Sequence, residues 1–285
     1  MNRAIFAQPE LTLSKDDFLF FKEEIKKRSG INLSQLKTNL VQSRLRSRVV
    51  QLGLSSFQEY RQCLQRMQAN DHEWQLFINQ LTTNKTEWFR EEMHFHFLVN
   101  HFLPRWEKSG KAHLNVWCGA SSTGEEPYSL GMVLQQYFQA KPLSFSILAT
   151  DIDTTVLQFG SNGIYPKVDL EKIPSPYHSY LDRGTADIID WLRINHKVKN
   201  KITFEKFNLT SEEYPWTGQF DLIFLRNVLI YFDEHMVRHV SEQCFKAAAP
   251  EAALFIAHSE SLQNLKTSWS FREPSVYKKG KALHW

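Results

Sequence analysis

The stretch LNVWCGASSTGEEPYSL, residues 114–130, constrains the fold of this chain more than any other. A short apolar run passes into a turn of small residues, and acidic residues then open a helix. Gly119, Ala120, Ser121, Ser122 and Gly124 carry little or no side chain. A loop of this kind lets a ligand lie directly against backbone N–H groups. The pattern is that of the first βα turn of a nucleotide-type α/β domain. It is not a phosphate loop, because Glu125 follows Gly124 where such a loop has Lys. Two carboxylates at a helix start repel a polyphosphate. They suit a ligand that is cationic at that end, and S-adenosylmethionine, with its ammonium and sulfonium, is such a ligand.

The rest of the chain agrees with an α/β domain behind a helical one. In residues 1–81, Ser14 and Asp17 resemble a capping box, and Phe18, Phe21 and Ile25 keep helical spacing until Gly30. Further helices are expected over about 34–52, 56–69 and 72–81, with short loops as in a small bundle. Residues 82–110 form a connecting segment and a helix over roughly 92–103, ending near Pro104. From residue 111 strands and helices alternate: HLNVWC, 125–139, LSFSILATD, 154–161, FDLIFLRN, 234–248 and AALFIAHSE. This alternation implies a parallel sheet with helices on both faces. Residues about 166–207 break the rhythm with short alternating runs and read as a small antiparallel insertion; the last stretch, SWSFREPSVYKKGKALHW, has room for one or two edge strands.

Several polar residues fall where such a sheet binds ligands. Asp151 ends the strand SFSILATD, 27 positions after Gly124. It is read either as the acceptor for ribose hydroxyls or as a helix cap, with Asp153 the better cap candidate. Arg226 and Asn227 end the apolar run FDLIFLRN, and Tyr231 follows as either a ligand contact or an aromatic cover for the sheet end. TTNKTEWFREE, residues 82–92, is read either as a linker or as a loop that folds over ligand and contributes Arg90. On the second helix Lys37, Arg44 and Arg48 share one face. They form either a solvated surface or a docking surface for an acidic partner helix.

Composition excludes some classes. Thirty-four basic residues against 31 acidic leave a net charge of only +3, which argues against a dedicated nucleic-acid binder. Cys63, Cys118 and Cys244 are odd in number and far apart, with no metal spacing or disulfide framework, so a cytoplasmic location is expected. The eleven histidines show no ligand spacing, and no metal is expected. No secretory signal or membrane span is evident, and the absence of an exposed heptad or large apolar stripe favours a monomer.

Three long motifs, LTTNKTEWFRE (81–91), STGEEPYSL (122–130) and FDLIFLRNVLIYFD (220–233), together with ATDID (149–153) and GIYP (163–166), resemble the CheR family. Its members are S-adenosylmethionine-dependent glutamate O-methyltransferases of bacterial chemoreceptors. The resemblance covers almost the whole chain. It implies a helical N-terminal domain for receptor recognition and a Rossmann-like methyltransferase domain over 111–285 with an inserted β-subdomain. It implies that Asn84, Thr86, Arg90, Glu125, Asp151, Asn208, Leu209, Arg226 and Asn227 bind the cofactor, and that Arg90 and Tyr231 sit nearest the transferred methyl group. The implied partner is the cytoplasmic helical domain of a methyl-accepting chemotaxis receptor, which Lys37, Arg44 and Arg48 would face. The implied products are a glutamyl methyl ester and S-adenosylhomocysteine. RGTADIIDWLRI (183–194) lacks the extra glycines seen where relatives clasp a receptor C-terminal pentapeptide. Two rivals stand beside this reading. One is a methyltransferase for another acceptor, against which the weak net charge and the absence of an Asn/Asp-Pro-Pro-Tyr motif count. The other is a cofactor-binding regulator without turnover, against which the presence of both Arg90 and Tyr231 counts.

Overall fold

The computed structural model describes residues 11–280. The first ten residues, where a secretory signal would lie, and the last five of the C-terminal run are outside the described residues. The chain divides into two compact units, residues 1–83 and 84–285.

Among its described residues the first unit packs four α-helices: α1 (Lys15–Ser29), α2 (Thr38–Gln51), α3 (Phe57–Arg66) and α4 (His72–Leu81). Ser14 caps α1 by accepting from the Asp17 N–H at 3.1 Å, and Gly30 ends it at φ 73°, a left-handed value that costs glycine little. A single 3-10 turn precedes α2, so the helix begins later than its sequence pattern suggests. Phe21 is fully buried, with its ring 5.8 Å from Tyr60 and 5.9 Å from Phe77, which ties α1 to α3 and α4.

The second unit opens with α5 (Glu92–Phe97), a π turn over Leu98–Phe102, and α6 (Leu103–Lys108). The helix therefore runs past Pro104 instead of stopping there. The wide turn releases the hydrogen bonding that proline would break, and Pro104 occupies the tolerated first turn of α6. Then follow β1 (His113–Gly119), α7 (Glu125–Phe138), β2 (Ser144–Asp151), α8 (Thr154–Asn162), β3 (Ile164–Pro166), β4 (Leu181–Arg183), β5 (Trp191–Ile194) and α9 (His196–Lys199). The chain closes with β6 (Ile202–Lys206), β7 (Phe220–Leu225), α10 (Glu234–Ala247), β8 (Ala248–Phe255), β9 (Ser270–Glu273) and β10 (Val276–Lys278).

Seven strands form one sheet in the order β6-β2-β1-β7-β8-β10-β9, and β3-β5-β4 form a separate antiparallel sheet. The first five strands of the large sheet run parallel, with β10 and β9 antiparallel at one edge. All six residues of β7 are buried, as befits a central strand covered on both faces. Residues 202–206, expected within the antiparallel insertion, instead pair parallel with β2. An edge strand alternates exposed and covered residues whether its neighbour is parallel or not, so the sequence pattern does not tell the two apart. Among the described residues, no helix is long and apolar enough to cross a membrane.

Candidate functional site

The loop between β1 and α7 is folded tightly against its surroundings. Ala120, Ser122 and Gly124 all have positive φ, at 57°, 49° and 98°. A Cβ on Gly124 would lie 2.7 Å from the Tyr165 hydroxyl and 3.1 Å from Gly160 Cα, so only glycine fits there. A Cβ on Gly119 would meet Leu225 at 2.8 Å. The N–H of Ser121 donates to Thr150 O (2.8 Å), that of Ser122 to Asp151 Oδ2 (2.9 Å) and that of Gly124 to Ser121 O (3.1 Å). The loop thus offers a ligand close backbone approach more than an array of N–H donors.

Asp151 lies at the carboxyl end of β2 and is 7% exposed. Burial pushes its carboxyl up to about 6, against the opposing pull of the N–H groups of Asp153 and Ser122. It does not cap α8. Asp153 does, accepting from the Thr155 N–H at 2.8 Å. Glu125 begins α7; burial raises its carboxyl, and the Thr123 hydroxyl donates to it at 2.6 Å.

Residues 84–91 are anchored along their length. The Asn84 amide donates to Asp153 (2.7 Å), and the Ser122 hydroxyl donates to Asn84 O (2.8 Å). Trp88 is buried edge-on against Tyr165 with centroids 4.8 Å apart, Phe89 stacks on Tyr177 at 4.7 Å, and the Phe89 N–H donates to Ser129 Oγ (3.0 Å). A passive linker would not be fixed in this way. Thr86 and Arg90 are half-buried on this segment, and Arg90 Nη1 donates to Lys85 O at 3.3 Å. Phe89 and Glu91, at φ 50° and 56°, join the strained loop residues and Asn227, at 59°. Among the described residues, five of the eight non-glycine residues with positive φ therefore lie in the loop, in this segment or at the end of β7, and such strain concentrates where function demands a fixed geometry.

Arg226, expected on the cofactor side, turns its guanidinium into the protein. Nη1 donates to Glu126 Oε2 (2.8 Å); Nη2 donates to Arg90 O (2.6 Å) and lies 3.1 Å from Glu91 Oε2. Its side chain is 1% exposed. It acts as a strut between α7, the Arg90 segment and the end of β7. Asn227 and Tyr231 follow, both half-buried, with Tyr231 closing a 3-10 turn. Asn208 and Leu209 come just after β6, whose parallel pairing brings them beside the end of β2: the Phe207 N–H donates to Asp151 O at 3.0 Å. Asn208 Oδ1 accepts from the Thr210 N–H, and Leu209 is buried 3.7 Å from where a Gly119 Cβ would lie.

Glu91, His94 and His258 place ligand atoms within 4.8 Å of one another, a grouping that histidine spacing alone did not reveal. His94 is buried with neither ring nitrogen hydrogen-bonded, and burial pushes it down to about 3, with the Arg226 charge acting in the same direction. The Arg226 guanidinium already supplies a cation beside Glu91, 3.1 Å from its Oε2.

In the first unit the basic residues of α2 diverge. Arg44 donates to Leu81 O (2.9 Å) and Thr82 O (2.7 Å). Arg48 pairs through Nε and Nη2 with the buried Glu73, which also accepts from the Tyr60 hydroxyl. Lys37 and Arg46 are the exposed cations of this stretch.

The site in the second unit therefore collects, at the carboxyl ends of β1, β2, β6 and β7, a small-residue loop, the buried carboxylate of Asp151 and the half-buried one of Glu125, and a rigid segment bearing Arg90. The carboxylates fit the two ends of S-adenosylmethionine: Glu125 suits an ammonium, and Asp151 suits ribose hydroxyls. Glu91 and Glu126, the partners of Arg226, carry no local sequence signal of that role: Glu126 is the second acid of the helix start, and nothing near it in sequence separates it from Glu125.

Two family models match the chain. The description "CheR methyltransferase, SAM binding domain" covers residues 84–277, and "CheR methyltransferase, all-alpha domain" covers residues 16–82. The chain is 37% identical over 270 residues to the chemotaxis protein methyltransferase of Escherichia coli (strain K12), covering 94% of this chain and 92% of that relative. It is 36% identical over 258 residues to chemotaxis protein methyltransferase 2 of Pseudomonas aeruginosa, covering 90% of each. It is 33% identical over 276 residues to the chemotaxis protein methyltransferase of Borreliella burgdorferi, covering 94% of this chain and 96% of that relative.

Proposed function

The chain belongs to the CheR methyltransferase family, and from that premise we propose that it methylates glutamate side chains in the cytoplasmic helical domain of chemotaxis receptors. It is an S-adenosylmethionine-dependent methyltransferase of chemotaxis. The observation that carries the acceptor reading is the Arg90 segment, locked by Arg226 beside the β1–α7 loop, which offers a planar donor group.

Bound at this loop, S-adenosylmethionine supplies a methyl group activated on a sulfonium. Glu125 would hold its amino end and Asp151 its ribose, with Asn84, Thr86, Asn208, Leu209 and Asn227 around the remainder. Arg226 acts beneath them by fixing Glu126 and the Arg90 backbone. A glutamate acceptor is already ionised at neutral pH, its unperturbed pKa being about 4.3, so no base is needed. The protein must align the carboxylate oxygen for in-line attack and exclude water from it. The Arg90 fork suits two carboxylate oxygens, and Tyr231 adds a second donor from the β7 side. Their task is orientation, since a tight grip on the ground-state carboxylate would slow attack.

Receptor recognition belongs to the helical unit, where exposed Lys37 and Arg46 are the cations that α2 and the turn before it offer an acidic helix, while Arg44 and Arg48 brace the fold. The enzyme acts as a cytoplasmic monomer in this reading, consistent with its three free cysteines.

The test is transfer from labelled S-adenosylmethionine to membranes carrying chemoreceptors, followed by alkali. Base-labile label released as methanol from the receptor band is expected. Base-stable label would move the acceptor to nitrogen. Cofactor binding without any label would replace turnover with a docking role.

A further inference from the structure

The turn that carries Tyr231 is held by a carboxylate outside every motif of the sequence. Glu260 follows β8 and is 9% exposed. Its Oε2 accepts from the N–H groups of Ala257 (2.8 Å) and Asn227 (3.2 Å), and its Oε1 accepts from that of Ile230 (3.3 Å). Asn227 sits at φ 59°, where an L-residue needs outside support. Leu229–Tyr231 is a single 3-10 turn, and the first N–H groups of such a turn have no partner within it. One carboxylate thus satisfies the strained residue and the start of the turn together. It ties both to the turn after β8, where the Glu260 N–H returns to Ala257 O at 2.9 Å. Tyr231 is the last residue of the turn, and its own N–H donates to Val228 O at 3.1 Å. The place of its ring follows from the turn, and the turn follows from Glu260.

We propose that Glu260 is a positioning residue for methyl transfer, holding the Asn227–Tyr231 turn so that Tyr231 is presented to the acceptor carboxylate. The proposal rests on the function argued above, in which Tyr231 contacts the reacting group. Glu260→Gln keeps the shape of the side chain but turns one acceptor oxygen into an N–H donor. One backbone N–H then faces another donor, and the turn loses its hold.

The experiment is a double-mutant cycle in the full-length enzyme with E260Q, Y231F and the double variant. Base-labile methyl transfer to receptor membranes gives kcat and KM, and calorimetry gives S-adenosylmethionine affinity. E260Q is expected to lower kcat about tenfold or more with KM changed less than about threefold and cofactor affinity, in which Asn227 shares, lowered by less than kcat, and to add nothing to the kcat loss once Tyr231 is Phe. Effects that multiply in the double variant would overturn the proposal while leaving the role of Tyr231 intact. So would a kcat loss matched by an equal loss of cofactor affinity. An unchanged kcat in Y231F would instead overturn the premise that Tyr231 acts on the acceptor, and the proposal with it. If E260Q does not fold, Glu260→Asp, which keeps the charge and retracts it by one methylene, is read in the same cycle with the same outcomes.

Discussion

Arg226 Nη1 lies 2.8 Å from Glu126 Oε2, joining the end of β7 to the first turn of α7 across 100 positions of chain. The same guanidinium reaches Glu91 and the Arg90 carbonyl, so one buried cation sets the relation between the start of α7 and the segment that bears Arg90. Arg226→Met would leave two acidic groups without their partner. A loss of about 3–5 kcal/mol in unfolding free energy is expected. Denaturant melts of the whole chain read it, and a change under about 1 kcal/mol would refute the strut.

Arg90 itself is expected to affect rate more than binding. Arg90→Ala should lower kcat by roughly two to three orders of magnitude, the scale seen when one donor at a reacting oxygen is removed. S-adenosylmethionine affinity should stay within a few-fold of wild type. Calorimetry beside the methyl-transfer assay separates the two, and a parallel collapse in cofactor affinity would make Arg90 a binding residue only.

Asp151 gives the site a pH dependence. Its carboxyl is pushed up to about 6 in the folded protein, chiefly by burial, above the ordinary aspartate value. The folded state therefore takes up this proton more readily than the unfolded chain. The contribution to stability is complete below about pH 4 and is lost as pH rises through 6. Ribose hydroxyls need the ionised form, so cofactor affinity moves in the opposite direction: about tenfold weaker at pH 5 than at pH 7. Glu125, also raised by burial, adds to the same trend. Titration calorimetry across this range tests it, and Asp151→Asn should flatten the slope. A profile just as steep in that variant would remove Asp151 from the ribose.

Gly124 tolerates no side chain. Gly124→Ala combines a φ of 98° with a Cβ 2.7 Å from the Tyr165 hydroxyl, which itself donates to Thr123 O. A cost of roughly 2–5 kcal/mol is expected from backbone strain and overpacking. Thermal melts with and without S-adenosylmethionine should show both a lower midpoint and a smaller ligand-induced rise. A wild-type midpoint and rise would contradict the loop geometry.

Arg48 and Arg46 are neighbours on α2 with opposite expectations. Arg48→Ala strands the buried Glu73 and should destabilise the helical unit by about 3 kcal/mol or more, read as faster amide exchange over residues 15–81 of the intact chain. Arg46→Ala, on an exposed side chain, should leave exchange unchanged and raise the KM for receptor. Equal exchange in the two variants would dissolve the distinction.

The sequence alone determined the strand–loop–helix of residues 114–130, the caps at Ser14 and Asp153, the alternation that builds a parallel sheet, and the placing of Asp151, Arg226 and Asn227 at strand ends. These are short-range matters of periodicity, small side chains and side chain–backbone hydrogen bonds, and a few neighbouring residues suffice to state them. Only the tertiary structure decided that β6 joins β2, that the helix continues past Pro104, that Arg44, Arg48 and Arg226 find partners within the protein, and that Glu260 accepts from the N–H groups of Asn227 and Ile230. A charge written in sequence carries no direction. Its partner is chosen when the chain is compact and a buried ion must find an opposite charge or a backbone dipole, which lies here 25 positions from Arg48, 100 from Arg226 and 33 from Glu260.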